Sequence, residues 1–386
     1  MRDMRGAGTL GWIAGLWLLL AAVALLSAAS AFALASSDRY IVVLKDRVDH
    51  PGLVAAKQAD SYGTKTTYVY RSALNGYAAT IPTSKVDTLR ADDRVAYVER
   101  DRTVSALAQT LPWGINRINA DISSTLAGNG SGAVSNVRAY VIDTGIYRSH
   151  PDLNVVNHVN FASGQNNDCN GHGTHVAGTV AARDNASDVV GASPGLRLIG
   201  VKVLGCSGTG STSGVIKGVD WVTANAVKPA VANMSLGGGP SQALDDAARR
   251  SAASGVLYSL AAGNDGDDAC TSSPARAGAG TNNGIVTTAA TNSIDQEASW
   301  SNYGPCVDLW APGVSILSTR KGGGTTTMSG TSMASPHIAG TGALYLSSHP
   351  TTAPAQVESQ LKANALTPGT QSKDKRSIRL VYAGGY

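Results

Sequence analysis

The sequence predicts an α/β protein: a doubly wound, mostly parallel sheet with helices on both faces, preceded by a small α+β unit. Three observations predict it. From residue 137 onward, apolar runs of strand length alternate with longer amphipathic stretches, the pattern of a parallel sheet covered on both sides. Residues 38–104 have a different character, with short strand-like and helix-like runs and no cysteine, whereas all four cysteines lie after residue 168. Hydrophobic residues make up 43% of the 386 and charged residues 15%, so the chain can bury a core and is not a disordered polyelectrolyte. With 44 glycines and 2 phenylalanines, that core must bring backbones close together rather than interlock large rings.

The elements follow in order. Arg2 and Arg5 precede an uncharged stretch from Gly6 to Ser37, greasiest at Trp17–Leu26 and ending in Ala33-Leu34-Ala35. A basic start, an apolar centre and an A-x-A end read as a secretory signal peptide over 1–35; Leu10 to Ala35 is also long enough for a membrane anchor. Export implies an oxidising compartment and thus two disulfides, with three connectivities open for Cys169, Cys206, Cys270 and Cys306. Strands are expected at Tyr40–Leu44, Asn75–Ile81 and Val95–Glu99, and helices at Leu53–Tyr62 and Ser84–Leu89, the latter capped by Ser84. Further strands are expected at Val137–Ile142, Leu196–Leu204, Ala230–Leu236, Val256–Ala262, Ile285–Ala290 and Val307–Ala311. Helices are expected at Ser213–Val227, at Ser241–Ser254 and from Ser332 to about Ser348. In such folds ligands sit beyond the carboxyl ends of the strands.

Net charge is +4, but residues 108–386 hold 18 Lys+Arg against 17 Asp+Glu. The balance there is nearly neutral, and no basic block or zinc-finger spacing supports nucleic acid binding.

Four segments carry the chemistry. Asp143 closes a strand in Asp143-Thr144-Gly145. His172 and His175 lie in Asn170-Gly171-His172-Gly173-Thr174-His175. Asn264 ends Ala261-Ala262-Gly263-Asn264. Ser332 opens a helix in Ser329-Gly330-Thr331-Ser332-Met333-Ala334-Ser335-Pro336-His337. Singly these are a turn, a buried histidine pair and a helix cap. The His spacing lacks the i, i+4 pattern and the intervening Glu of a zinc helix. Together they supply a nucleophile, a base to take its proton and a carboxylate to orient that base. A Ser esterase of another fold would need G-x-S-x-G with a later His; here the His precedes the Ser and the final Gly is absent.

On these segments, with Asn233-Met234-Ser235-Leu236-Gly237-Gly238-Gly239 and Trp300-Ser301-Asn302-Tyr303-Gly304, the chain resembles the subtilisin-like serine proteases (subtilases), within them the proteinase K branch and its aqualysin-type bacterial members. The resemblance runs from about residue 112 to 350. It implies a triad of Asp143, His172 and Ser332, an oxyanion donor in Asn264, and His175 as a buried structural residue. It implies primary-pocket walls in Ser235-Leu236-Gly237 and Ala261-Ala262-Gly263, and a substrate-pairing edge in Gly208-Thr209-Gly210. Small walls suit broad cleavage after aromatic and aliphatic residues. It implies disulfides Cys169–Cys206 and Cys270–Cys306, and a structural calcium held by Asp308 with backbone near Asn283 and Ile285; no cofactor is needed for catalysis. It makes 36–107 an inhibitory propeptide, cut off by the enzyme itself between about Ser105 and Gln109 to leave 108–386. The tail Thr103–Leu107 would lie in the substrate groove. A permanently attached binding domain is the other reading of that segment. The expected product is a secreted, monomeric endopeptidase acting on proteins and peptides, with its own propeptide as partner. A subtilase without activity, used for binding, is opposed by the intact Asp143, His172, Ser332 and Asn264.

Overall fold

The computed structural model describes residues 37–102 and 109–386. The chain divides into two units, Met1–Ser105 and Ala106–Tyr386. The leader at 1–35 and the tail Thr103–Leu107 lie outside the described residues.

In the first unit, β1 (Ser37–Leu44), β2 (Lys65–Tyr70), β3 (Gly76–Pro82) and β4 (Val95–Arg100) form an antiparallel sheet in the order β2-β3-β1-β4. Helix α1 (Pro51–Tyr62) starts on Pro51, whose missing N–H is no loss there, and ends at Gly63 in the left-handed region. Its Val54 and Ala55 meet Val42, Leu44, Tyr77 and Ile81 in the core. Helix α2 (Val86–Arg90) has no side-chain cap, so the expected cap by Ser84 is corrected: Ser84 lies in a 3₁₀ turn over Thr83–Lys85. Strand β2 was not expected. Its alternation is weak because Lys65-Thr66-Thr67-Tyr68 is exposed throughout, as an edge strand allows.

In the second unit, α3 (Trp113–Arg117) leads to β5 (Arg138–Asp143), β6 (Val155–Asn160), α4 (His172–Ala181), β7 (Arg197–Lys202), α5 (Thr212–Asn225), β8 (Ala230–Met234), α6 (Gln242–Ala253), β9 (Val256–Ala261), β10 (Ile285–Thr291) and β11 (Leu309–Pro312). These seven strands form one sheet, ordered β11-β10-β9-β8-β5-β7-β6, with every pair parallel. A hairpin of β12 (Ile316–Thr319) and β13 (Thr325–Met328) precedes α7 (Thr331–Ser348) and α8 (Pro354–Ala363).

Alternation along β5 divides the core. Val141 joins the cluster under α4 and α7, while Tyr140 and Ile142 join the cluster under α5 and α6. Helix α5 buries Val215, Gly218, Val219 and Val222, and Ser211 caps it by accepting from Gly214 N at 3.1 Å. Both disulfides form as the resemblance implies, Cys169–Cys206 and Cys270–Cys306. Each spans 37 or 36 residues, a loop whose closure is worth roughly 4 kcal/mol in the chain-entropy model.

The sheet order reverses at β5: the chain adds β7 on one side of it and β8 on the other. A crevice opens at the carboxyl end of such a strand, and Asp143 is the last residue of β5.

Candidate active site

Asp143 is fully buried, and its Oδ1 accepts from the Thr144 backbone N–H at 2.7 Å. The same oxygen lies 2.8 Å from His172 Nδ1. His172 is the first residue of α4. Gly173 explains how helix and strand come so close: a Cβ there would stand 2.1 Å from the Gly145 carbonyl and 3.1 Å from Asp143 Cβ. Burial disfavours the imidazolium of His172. The charge and hydrogen bond of Asp143 outweigh burial, Asp168 adds to them, and the pKa is raised. A base held this way is oriented in one tautomer and prepared to carry a proton.

His175 is fully buried and bonds Ile316 O through Nε2 at 2.9 Å. Burial lowers its pKa to about 4. The second histidine of the motif is therefore a neutral core residue.

Ser332 is the second residue of α7. Its Oγ donates to the Ser235 carbonyl at 3.2 Å, and no hydrogen bond joins it to His172 in this structure. Catalytic hydrogen bonds are often loose before substrate binds. Pro336 lies inside the helix, beyond its first turn. It deprives the Ser332 carbonyl of its i+4 partner. Ser235 Oγ fills the gap by donating to Ser332 O at 2.7 Å. Asn233 Nδ2 donates to Ser235 Oγ at 2.9 Å, so the proline ties the serine turn to a wall of the substrate cavity.

Asn264 is oriented by Thr331, whose backbone N–H and Oγ1–H both donate to its Oδ1, at 2.8 and 3.0 Å. The amide Nδ2 is thereby left to donate elsewhere. Gly330, at φ 156°, faces the point where the donors meet: a Cβ would lie 3.6 Å from Ser332 N and 3.7 Å from Asn264 Nδ2. The two nitrogens thus flank one point next to Ser332, the placement an oxyanion site requires.

Two cavities adjoin these groups. One of about 360 Å³ is lined by His172, Gly208, Thr209, Gly210, Ser235, Leu236 and Gly237, among others. The other, about 440 Å³, is lined by Gly237, Ala261, Ala262, Gly263 and Asn264, with Asp265 bringing a carboxylate to its wall. The pocket residues named from sequence line these two cavities together with His172 and Asn264, whereas Asp143 and Ser332 line neither. Gly208–Gly210 lies in the loop before α5, outside any strand, with Gly205 N bonded to Thr209 O at 2.8 Å.

The carboxylate expected to hold calcium has other partners here. Asp308 Oδ1 is 2.6 Å from Lys362 Nζ, and its Oδ2 accepts from Thr287 N at 2.8 Å. Lys362 also pairs with buried Glu358 at 2.5 Å, and Glu358 accepts from the Asn283 and Gly284 N–H groups. Asn283 bonds its side-chain amide to Ala277 O at 2.9 Å, and Ile285 N donates to Asn283 Oδ1 at 3.0 Å. In this structure an ammonium supplies the positive charge at the Asp308 carboxylate. Among the described residues, no group of three or more His, Cys, Asp or Glu is arranged to hold a metal.

Sequence reasoning missed the orienting role of Thr331 and the whole contribution of Asp168. The first had a signal in its position directly before Ser332. The second is four residues before His172, in a segment read only for its histidines.

A parallel α/β sheet with an Asp143–His172 pair at the carboxyl end of β5, and Ser332 in the first turn of a helix, carries the parts of a serine hydrolase. Residues 135–381 match the subtilase family and residues 39–107 the peptidase inhibitor I9 family. An extracellular serine proteinase of Thermus sp. (strain Rt41A) is 42% identical, over 90% of this chain and 93% of its own. Subtilisin E of Bacillus subtilis (strain 168) is 40% identical over 88% of both chains. The crystal structure of a cold-adapted subtilisin-like serine proteinase superposes with a TM-score of 0.63 at 43% identity, covering 70% of this chain and 97% of the other. The chain belongs to the subtilase family: it is a serine protease with an I9-type inhibitor segment, and the family's chemistry needs no cofactor. Among the described residues no helix is long and apolar enough to cross a membrane.

Proposed function

We propose that the chain is the precursor of a secreted endopeptidase, with a leader over 1–35, an inhibitory propeptide over 36–107 and a peptidase over 108–386. The observation that carries the reading is the Asp143–His172 bond beside a helix-borne Ser332 and the paired donors of Asn264 and Ser332 N. The Ser332 hydroxyl turns from the Ser235 carbonyl to His172 Nε2, gives up its proton and attacks the scissile carbonyl. Asn264 Nδ2 and Ser332 N–H stabilise the oxyanion. His172 then protonates the leaving amine, and water repeats the sequence on the acyl-enzyme.

Substrate lies extended past Gly208–Gly210, and its side chain before the cut enters the cavity walled mostly by glycine and alanine, with Asp265 at one side. That lining supports cleavage after aromatic and aliphatic residues. The I9 match supports self-processing, in which Ser332 makes the cut between about Ser105 and Gln109 and the released segment inhibits. Calcium at Asp308 is not part of this reading, because Lys362 stands there.

Chromogenic peptides test it. Hydrolysis after Phe or Leu should exceed hydrolysis after Lys or Arg, and Ser332→Ala should abolish both. Faster cleavage after basic residues would overturn the specificity. Ser332→Ala still trimmed near Leu107 in a protease-deficient host would overturn self-processing.

A further inference from the structure

We propose that Asp168 is a positioning residue for hydrolysis: it locks the end of β5, which carries Asp143, to the first turn of α4, which carries His172, and supplies a second fixed charge beside the imidazole. The proposal rests on the assignment of His172 as the base.

Asp168 is 2% exposed. Its Oδ1 accepts from Thr144 Oγ1 at 3.0 Å, Asn170 N at 2.9 Å and Gly171 N at 2.8 Å. Its Oδ2 accepts from Thr174 N at 3.0 Å and from Thr174 Oγ1. Thr144 follows Asp143, and Thr174 lies two residues beyond His172. Each hydroxyl is used twice. Thr144 Oγ1 accepts from Gly173 N at 2.9 Å, and Thr174 Oγ1 accepts from Tyr147 N at 2.9 Å. One carboxylate thus closes a lattice that fixes both partners of the Asp143–His172 bond.

Only a charged carboxylate fits. Five donors converge on two oxygens, and an asparagine amide would aim its own N–H groups at N–H groups. All five partners are neutral, so the charge is not spent on an ion pair. Buried charge of this kind acts strongly on a neighbour in a low-dielectric site. The groups facing His172 are Asp143 on β5, Asp168 in the loop before α4 and His175 on its own helix. Two further groups feel Asp168, the buried Lys202 on β7, which also feels Asp143, and His158 on β6; neither ion-pairs with it, Lys202 Nζ being held by the Thr144 and Leu204 carbonyls at 2.8 and 3.0 Å, while Lys321 Nζ, after β12, is held by Cys169 O at 2.7 Å.

The test compares Asp168→Asn with Thr174→Val, using a fluorophosphonate that reacts covalently with Ser332. Labelling rates from pH 5 to 9 are normalised to titrated active sites, and KM is read with a peptide. Asp168→Asn should label about 100-fold more slowly, with KM little changed and the acid limb of the rate profile moved to lower pH. Thr174→Val keeps the charge, so it should slow labelling less and leave the acid limb in place. An unchanged rate for Asp168→Asn, or a slower rate with an unmoved acid limb, would overturn the proposal. If Asp168→Asn fails to fold, Asp168→Glu decides: it should keep the acid limb and lose rate, and full rate would refute the positioning role. Labelling of Ser332→Ala at the parent rate would instead sink the underlying site assignment.

Discussion

Asp168, beneath the carboxyl end of β5, and Asp308, at the start of β11, are both buried carboxylates, but they are satisfied differently. Asp168 is held by neutral donors on Thr144, Asn170, Gly171 and Thr174. Asp308 is paired with Lys362, which also serves Glu358. Burial raises the Asp308 pKa to about 6 despite that pairing. A carboxylate satisfied by dipoles keeps its field for a neighbouring imidazole. One satisfied by an ammonium has its field cancelled at close range, and what remains is cohesion between β10, β11 and α8. The first arrangement serves chemistry and the second serves stability.

The largest effect should come from the Asp143 end. Asp143→Asn should lower kcat on the order of 10⁴-fold, measured with a chromogenic peptide, because His172 loses its tautomer and its counter-charge. Lys362→Met, at the other cluster, should leave kcat per titrated active site unchanged. A large catalytic loss at both would erase the distinction.

Next is the oxyanion donor. Asn264→Ala should cost roughly 100- to 1,000-fold in kcat with little change in KM, a magnitude measured in subtilisin, a member of this family. An unaltered kcat would remove Asn264 from the mechanism and leave Ser332 N–H as the sole donor.

The stability cluster comes third. Lys362→Met leaves Asp308 and Glu358 buried without their cation and should destabilise by about 3–5 kcal/mol. Denaturant unfolding in a Ser332→Ala background, where autolysis cannot intervene, reads this directly. In the unsubstituted protein a chelator should not lower the melting temperature through this cluster. A chelator-induced drop that Asp308→Asn abolishes would show a divalent ion where Lys362 is placed.

The smallest effect sharpens the contrast through pH. Burial lowers the pKa of His337, fully enclosed in α7, to about 4. Folded His337 stays neutral while the unfolded imidazole takes a proton below about pH 6.5. The folded state's advantage is therefore whole above pH 6.5 and lost as pH falls towards 4, by about 3 kcal/mol. Asp152 and Asp308, each raised to about 6 by burial, work in the opposite direction and His175, lowered to about 4, in the same one, so the parent's own pH profile mixes them all. The clean measurement is the stability difference between the parent and His337→Gln, which should move in favour of the variant by that amount between pH 6.5 and 4. A difference that does not change with pH would mean that His337 takes up its proton equally in the folded and unfolded states.

Much of this molecule is local and was readable as such. Val137–Ile142 reads as a strand because its run, apolar but for Arg138, suits a sheet covered on both faces, and β5 is found there. Helix α5 starts one residue before its expected position, where Ser211 caps it. Strand β2 was invisible because its exposed residues carry no alternation. The β12–β13 hairpin was likewise missed, since Ile316–Thr319 and Thr325–Met328 are too short and too polar to stand out. The resemblance placed Asp143, His172, Ser332 and Asn264; the structure joins Asp143 to His172 and holds Asn264 on Thr331, the neighbour of Ser332.

By itself, the sequence determined the alternation of strands and helices, the Gly-flanked segments that carry the reactive side chains, and the even set of cysteines. Those are matters of period, turn chemistry and residue type within a few positions. Only the tertiary structure decided how buried charges are balanced, because that depends on partners far apart in the chain. Lys362 reaches Asp308 across 54 residues, Thr144 reaches Asp168 across 24, and Ser235 fills the bond that Pro336 leaves open on Ser332. A carboxylate reads the same in either setting; whether it meets an ammonium, a metal or a ring of N–H groups is settled when the sheet closes around it.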